Sequence, residues 1–213
     1  MRAVKGAVKE WLGAGRGAPE KKAANRNMAA GGGRGHGWSM VTVSGQHRIR
    51  MGQLERQAEG YLELGMPRHA LDTLARLGMH GRPSSHLLYL RGEALRELER
   101  FEEALVPLDQ AADIAPSNIH IRLAMGWCHK RLGRLDLAIE DLEQGIAVEP
   151  AEAILHFNLA CYCSLAGRRR SAIAHLSQAI ELDARYRDAI DGERDFDPIR
   201  SDPEFQALTS MIA

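Results

Sequence analysis

The sequence has few cysteines, few aromatic residues and no long apolar run, and each shortage excludes a class of protein. Its 213 residues include three cysteines, Cys128, Cys161 and Cys163. They form no paired framework of the kind that disulfide-bonded secreted domains carry, which favours a reducing compartment. No apolar run approaches the roughly 20 residues that a membrane-spanning helix needs, and no secretory segment follows Met1. A cytoplasmic location is therefore predicted.

Sequence motifs for catalysis and metal binding are also missing. The chain contains no Walker-type glycine loop, no His-Glu-x-x-His helix, no Gly-x-Ser-x-Gly elbow and no calcium loop. The nine histidines are scattered. His86 and His120 share a position within a repeat, but neither has an acidic residue or cysteine placed beside it as a second ligand. We predict no catalytic residue, no metal site and no cofactor, and hence a protein that is not an enzyme.

The net charge of zero hides an uneven distribution along the chain. Residues 1–50 hold 10 Lys and Arg against 2 Asp and Glu, a net charge of +8. Residues 51–213 hold 18 against 26, a net charge of −8. A basic arm followed by an acidic body is therefore the pattern that the total conceals.

The basic arm, residues 1–50, is predicted to be disordered, because its glycine-rich centre cannot bury enough apolar surface to fold. The Gly-Arg string at 31–37 is too short to predict nucleic-acid binding. Residues 4–12 could form a short amphipathic helix, so attachment to a membrane surface, or a transit-like role, stays open as an alternative. A further alternative is that translation starts at one of three internal methionines, Met28, Met40 or Met51.

What the chain does have is a period of 34 residues in its small side chains. Two ladders recur at this interval: Ala70, Ala104, Ala138 and Ala172, and Ala58, Gly92, Gly126 and Ala160. Small residues at fixed places let paired helices approach closely. Such a period is typical of stacked helical hairpins.

Each period contains two amphipathic helices. Residues 85–98 and 101–114 carry apolar side chains at helical spacing, and Pro116 follows because proline cannot continue a helix. The same reasoning predicts the other helices, at 53–64, 67–77, 119–132, 135–148, 153–166 and 169–182. A further helix is expected over 186–193 and is interrupted at residues 195–198. Asp202, Pro203 and Glu204 then predict the start of a final helix.

The chain resembles the tetratricopeptide repeat (TPR) family. The residues that carry the resemblance are Ala58, Tyr61 and Ala70; Gly92, Ala104 and Pro116; Gly126, Ala138 and Pro150; and Leu159, Ala160, Gly167 and Ala172. The resemblance implies an all-α TPR solenoid of four helix-turn-helix repeats, at about 51–84, 85–118, 119–152 and 153–186, with a C-terminal cap at 187–213. The closing string DFDPIRSDPEFQAL also resembles that of many bacterial TPR proteins, which suggests a bacterial source.

In TPR proteins the first helix of each repeat lines a concave groove, and this implies which side chains meet a ligand. Three aromatic residues fall in groove columns: Tyr89, Trp127 and Phe157. Arg96, Lys130 and Arg131 add a basic patch able to hold a carboxylate, and Asn158 lies in a neighbouring column. Glu55, Glu59 and Glu63 make the opposite end acidic. For any single aromatic residue, packing between repeats is an equally good interpretation.

One known TPR function can be tested directly on the sequence. Co-chaperones that grip the C-terminal carboxylate of heat-shock proteins need lysine and asparagine in set groove columns. Those columns hold Glu55, Glu59, Leu90, His120 and Ala124, or, one repeat later, Tyr89, Glu93, Ala124, Ile154 and Asn158. Neither set is basic enough, so the heat-shock clamp is predicted to be absent.

The resemblance implies a non-enzymatic protein–protein interaction module or assembly adaptor that holds a peptide or helix in its concave groove. The alternative is a self-associating scaffold in which the basic arm of one copy lies on the acidic body of another. Neither the partner nor the pathway follows from the sequence.

Overall fold

The computed structural model describes residues 38–77 and 83–210, with side chains from Ile49 onward. These residues form helices and turns, with no strand among them. The predicted all-α solenoid of paired helices is confirmed.

Four antiparallel helix pairs follow one another along the chain. The first helices of the pairs are α1 (Trp38–Glu63), α3 (Ser85–Glu97), α5 (Ile119–Arg131) and α7 (Ala153–Leu165). The second helices are α2 (Pro67–Leu77), α4 (Phe101–Ile114), α6 (Leu135–Val148) and α8 (Arg169–Leu182). We call these pairs repeats one to four. A short helix α9 (Tyr186–Ala189), a 3-10 helix (Arg194–Ile199) and α10 (Pro203–Ser210) close the chain.

The first helix begins inside the segment that the sequence analysis assigned to the arm. Helix α1 starts at Trp38, so residues 38–50 are helical rather than part of a disordered arm. No proline lies between Trp38 and Glu63, so every residue of this stretch has a backbone N–H for helical hydrogen bonds. Residues 1–37, including the amphipathic segment at 4–12, lie outside the described residues.

The two small-residue ladders lie at the closest helix contacts, and all six alanines in them are fully buried. At Gly92, an added Cβ would stand 2.5 Å from Cγ of Leu108, which is closer than non-bonded carbon atoms approach. Glycine is therefore the residue that allows α3 and α4 to pack at this distance.

The turns between paired helices also repeat. Gly65, Gly133 and Gly167 have φ angles of 69°, 75° and 71°, and Glu99 at the same place has a φ of 59°. This left-handed conformation favours glycine. Glu99 is the one side chain that adopts it within the described residues, and it lies next to the surface described below.

The C-terminal segment covers the open end of repeat four. The predicted helix over 186–193 ends at Ala189, and residues 195–198 form part of the 3-10 helix rather than a simple break. The predicted start of α10 is confirmed, because Asp202 accepts hydrogen bonds from the backbone N–H of Glu204 at 2.9 Å and Phe205 at 3.3 Å. A solenoid needs such an atypical end to cover its last apolar face.

Candidate functional site: the inner face of the first helices

The inner face of the solenoid is formed by the first helices of the repeats. Helices α1 and α3 contact each other, and so do α3 and α5. The 3-10 helix packs against α7. The first helices of repeats one to three therefore form one continuous surface, and the C-terminal segment packs against the first helix of repeat four.

Three of the predicted groove residues are buried, and their assignment as surface contacts was wrong. Phe157 is 2% exposed, and Tyr89 and Asn158 are each 6% exposed. Tyr89 belongs to the core between repeats two and three, where burial raises the pKa of its phenol. The amide nitrogen of Asn158 donates to the carbonyl of Ile154 at 2.8 Å. These side chains stabilise the repeats and offer no surface to a partner.

Phe157 is buried because the chain covers it with its own C-terminal segment. Its ring lies 4.8 Å from that of Tyr186 and 5.7 Å from that of Phe196, measured between centroids. Phe196 is fully buried and also contacts Phe205, at 5.7 Å. The C-terminal segment of the same chain thus covers the apolar part of the groove in repeat four.

Lys130, predicted to hold a ligand carboxylate, instead forms an ion pair with Asp195 of the same segment. Its ammonium also lies 5.5 Å from the centroid of the Tyr162 ring. Asp195 and Phe196 therefore fill the places beside Lys130 and Phe157 that the sequence analysis assigned to a partner.

Arg96 is also paired inside the chain. Its Nε and Nη2 donate to the two carboxylate oxygens of Glu93 at 2.8 and 2.7 Å. Burial alone would lower the pKa of Arg96, but the adjacent Glu93 carboxylate raises it above its ordinary value. The guanidinium lies 4.9 Å from the centroid of the Trp127 ring. Arg96 thus fixes this ring while its charge is balanced.

Arg131 is the predicted basic residue whose charge faces outward. Its guanidinium carbon lies 5.0 Å from the Phe101 ring and 5.2 Å from the Trp127 ring. The two rings meet edge to face at 5.3 Å. The Arg131 side chain is 31% exposed, and its contact with Glu99 is long, at 3.9 Å. We call Arg96, Phe101, Trp127 and Arg131 the arginine–aromatic cluster.

The predicted acidic end of the groove lies on α1. Glu59 contacts His86 at 2.6 Å, and Ser84 donates a hydrogen bond to Glu55 at 3.3 Å. Glu63 is exposed. Two carboxylates of repeat one therefore lie against the start of α3.

Sequence reasoning missed three parts of this surface. Phe101 stands at the start of a second helix and so was assigned to packing alone. Asp195 and Phe196 were interpreted as part of a helix break, so their contacts with Lys130 and Phe157 were not predicted. Glu93 was placed in a groove column, but its pairing with Arg96, three residues away, was not recognised.

Repeats three and four each contain a buried polar pair that links the two helices of the repeat. The two pairs occupy equivalent positions. In repeat three Arg122 lies 3.6 Å from Asp141. In repeat four, 34 residues on, His156 and His175 take their places, with their Nδ1 atoms 3.1 Å apart. Nε2 of His156 lies 3.0 Å from the carbonyl oxygen of Pro150. Nε2–H therefore donates to this carbonyl, and Nδ1 accepts from Nδ1–H of His175.

Acid is expected to weaken this histidine pair. Burial, and then the neighbouring His156, lower the pKa of His175. The unfolded chain therefore binds the proton more tightly, so stability is complete above the ordinary histidine pKa of about 6.5 and falls as the pH drops through it. Urea unfolding between about pH 7.5 and pH 5 should show this loss, and His175→Gln should reduce it.

His120 should also make the protein less stable in acid, because burial lowers its pKa too. The comparison is therefore between His175→Gln and wild type, with His120 present in both. An equal loss of stability in the two proteins would contradict a role for the histidine pair.

Side chains suited to binding a metal ion do not gather in the described part of the chain. Residues 38–77 and 83–210 contain no set of three or more His, Cys, Asp or Glu side chains placed to hold a metal ion. The three cysteines are free and buried. Burial raises the pKa of Cys128 to about 12 and that of Cys163 to about 11, so these thiols are poor nucleophiles. Among the described helices, none has the length and apolar character to cross a bilayer.

Comparison with known proteins agrees with this architecture. Family models described as "Tetratricopeptide repeat" match residues 56–119 and residues 95–160. No curated protein matches the chain.

Solved structures with a similar fold include two of MamA and one of YrrB. A MamA crystal structure has a TM-score of 0.61 at 19% identity, over 68% of this chain and 85% of its own. MamA 41-end from Desulfovibrio magneticus RS-1 has a TM-score of 0.63 at 19% identity, over 76% and 90%. YrrB, described as a TPR protein with an unusual peptide-binding site, has a TM-score of 0.56 at 20% identity, over 72% and 86%. At these identities the likeness concerns the fold alone.

Proposed function

Because the chain belongs to the tetratricopeptide repeat family, whose members are protein–protein interaction modules, we propose that it binds a segment of a partner protein on the inner face of repeats one to three. The binding is non-enzymatic. Tyr89, buried between repeats two and three, supports this surface from below, whereas Phe157 and Asn158 belong to repeat four and lie outside it. Trp127 and Arg131 make the contacts, and Arg96 holds the Trp127 ring in place.

The arginine–aromatic cluster is the observation that carries this proposal. Arginine and tryptophan are the residue types most enriched where binding energy concentrates. Here two rings lie against two guanidinium groups, at 4.9–5.2 Å from ring centroid to guanidinium carbon. A pre-ordered aromatic surface loses little side-chain entropy when a partner binds.

The position of the site is also limited by the molecule itself. In repeat four the inner face is covered by the C-terminal segment, with Phe157 and Phe196 in contact. The inner face of the earlier repeats is what remains for a partner. The description of YrrB as having an unusual peptide-binding site is in keeping with a TPR surface that does not use the heat-shock clamp.

A displayed library of random peptides tests the proposal without knowledge of the partner. The wild-type protein should enrich a set of peptides that the double variant Trp127→Ala, Arg131→Glu no longer binds. The matched control is Leu137→Ala, Arg170→Glu, which makes the same kinds of change at exposed residues of second helices and should retain binding. The single variant Arg131→Glu checks that a loss of binding is not caused by unfolding, because the Arg131 charge lies outside the core.

Two results would overturn the proposed site. Peptides that bind the double variant as well as the wild type would place recognition elsewhere. A library from which nothing is enriched would leave the self-associating scaffold as the better account, with the basic arm lying on the acidic body of another copy. That alternative is favoured by the charge of +8 in residues 1–50 against −8 in the remainder, and the arm lies largely outside the described residues.

A further inference from the structure

The occupied end of the inner face reveals the chemistry of the open part next to it. In a solenoid, a shift of one repeat carries each position onto its equivalent. The occupied position lies between α5 and α7, where Lys130 pairs with Asp195 and Phe157 packs on Phe196. The same shift defines a second position, between α3 and α5.

Moving back by 34 residues gives groups of the same kind. Arg96 replaces Lys130 as the cation, and Leu123 replaces Phe157 as the apolar residue below. Trp127 replaces Cys161 and brings a larger ring to the surface. Leu123 and Trp127 are both partly buried. The second position therefore also offers a cation beside an apolar surface.

The two positions differ in how the cation is balanced. In the occupied position, Lys130 takes its carboxylate from the C-terminal segment. In the second position, Glu93 already supplies a carboxylate to Arg96 through two hydrogen bonds. The charge left to attract a ligand is that of Arg131, whose own contact with Glu99 is 3.9 Å long.

We propose that the position between α3 and α5 binds a partner segment in which an acidic residue directly precedes an aromatic one. The carboxylate of the segment pairs with Arg131, and its ring packs against Trp127. This inference rests on the proposed function and names the class of partner. As in the chain's own Asp195 and Phe196, an acidic residue is followed by an aromatic one, but the cation here is Arg131, whose equivalent one repeat on is Leu165.

A synthetic peptide with the sequence of residues 190–199, IDGERDFDPI, is the probe for this inference. Titrated into the full-length protein with Trp11→Phe and Trp38→Phe, which leaves Trp127 as the fluorescent tryptophan, it should change the fluorescence in a saturable way. The changes Asp195→Asn and Phe196→Ala within the peptide should each raise the dissociation constant about tenfold. A tenfold change corresponds to the free energy that a charge-assisted hydrogen bond or a buried ring contributes. Asp197→Asn within the peptide is the control and should bind as well as the parent.

Variants of the protein decide where the peptide binds. Arg131→Glu should abolish binding, whereas Lys130→Met should leave it unchanged. The opposite pattern, with binding lost in Lys130→Met and kept in Arg131→Glu, would mean that the peptide exchanges with the chain's own segment, and it would overturn the inference. Absence of binding by the parent peptide would overturn it as well.

Failure here is distinguishable from failure of the proposed function. If library peptides depend on Trp127 and Arg131 but lack an acidic residue before an aromatic one, the inner face is still the binding site and only the class of partner is wrong.

Discussion

Phe196→Ala should lower the free energy of unfolding by about 3–5 kcal/mol, the range expected for removal of a fully buried phenylalanine ring. The ring is 0% exposed and lies between those of Phe157 and Phe205, at 5.7 Å from each. The cavity cannot close easily, because its other walls are the rigid helices of repeat four. Urea unfolding monitored by circular dichroism measures the loss.

The matched control for Phe196→Ala is Asp197→Ala. Asp197 is the next residue of the same 3-10 helix, and its contact with Arg200 is on the surface, where ion pairs contribute little. Its removal should change the unfolding transition only slightly. If Phe196→Ala costs no more than Asp197→Ala, the C-terminal segment does not cover the groove as described.

A large loss is also expected from Arg96→Ala, because it leaves the Glu93 carboxylate buried without its partner. Removing one member of a buried ion pair typically costs about 3–5 kcal/mol. The side chains of Arg96 and Glu93 are 14% and 8% exposed, so solvent cannot replace the lost hydrogen bonds. Trp127 would lose its contact with Arg96 at the same time.

The chain supplies a close control for Arg96→Ala. Arg100 and Glu103 form the same kind of pair, also three residues apart and also through two hydrogen bonds, but on the exposed surface. Arg100→Ala should leave the unfolding transition almost unchanged. The double variant Glu93→Leu, Arg96→Leu should recover much of the stability, since apolar residues can replace a buried pair. Equal effects of Arg96→Ala and Arg100→Ala would show that burial of the pair is not important.

The helices could be predicted from the sequence because the signals that determine them are local. The 34-residue ladders identify the close contacts between paired helices, and Gly92 lies at such a contact in the structure. Pro116 and Pro150 end the units as expected. These features depend on residues within one repeat or its neighbour, where period and spacing carry most of the information.

The candidate site was predicted less well because its contacts are not local. Lys130 was predicted to hold a partner's carboxylate, but the carboxylate beside it is that of Asp195, 65 residues further along the chain. Phe157 was predicted to face a ligand, and what covers it is again the C-terminal segment. Periodicity tells which face a side chain is on and does not tell what packs against that face.

Amide hydrogen exchange tests the central claim, that recognition takes place on the inner face of repeats one to three. The measurement compares the full-length protein alone and saturated with a peptide enriched from the displayed library. The account predicts slower exchange in α3 and α5 on binding, with α4, α6 and the 3-10 helix unchanged. Protection confined to the second helices, or increased exchange in the 3-10 helix as it is displaced, would contradict it.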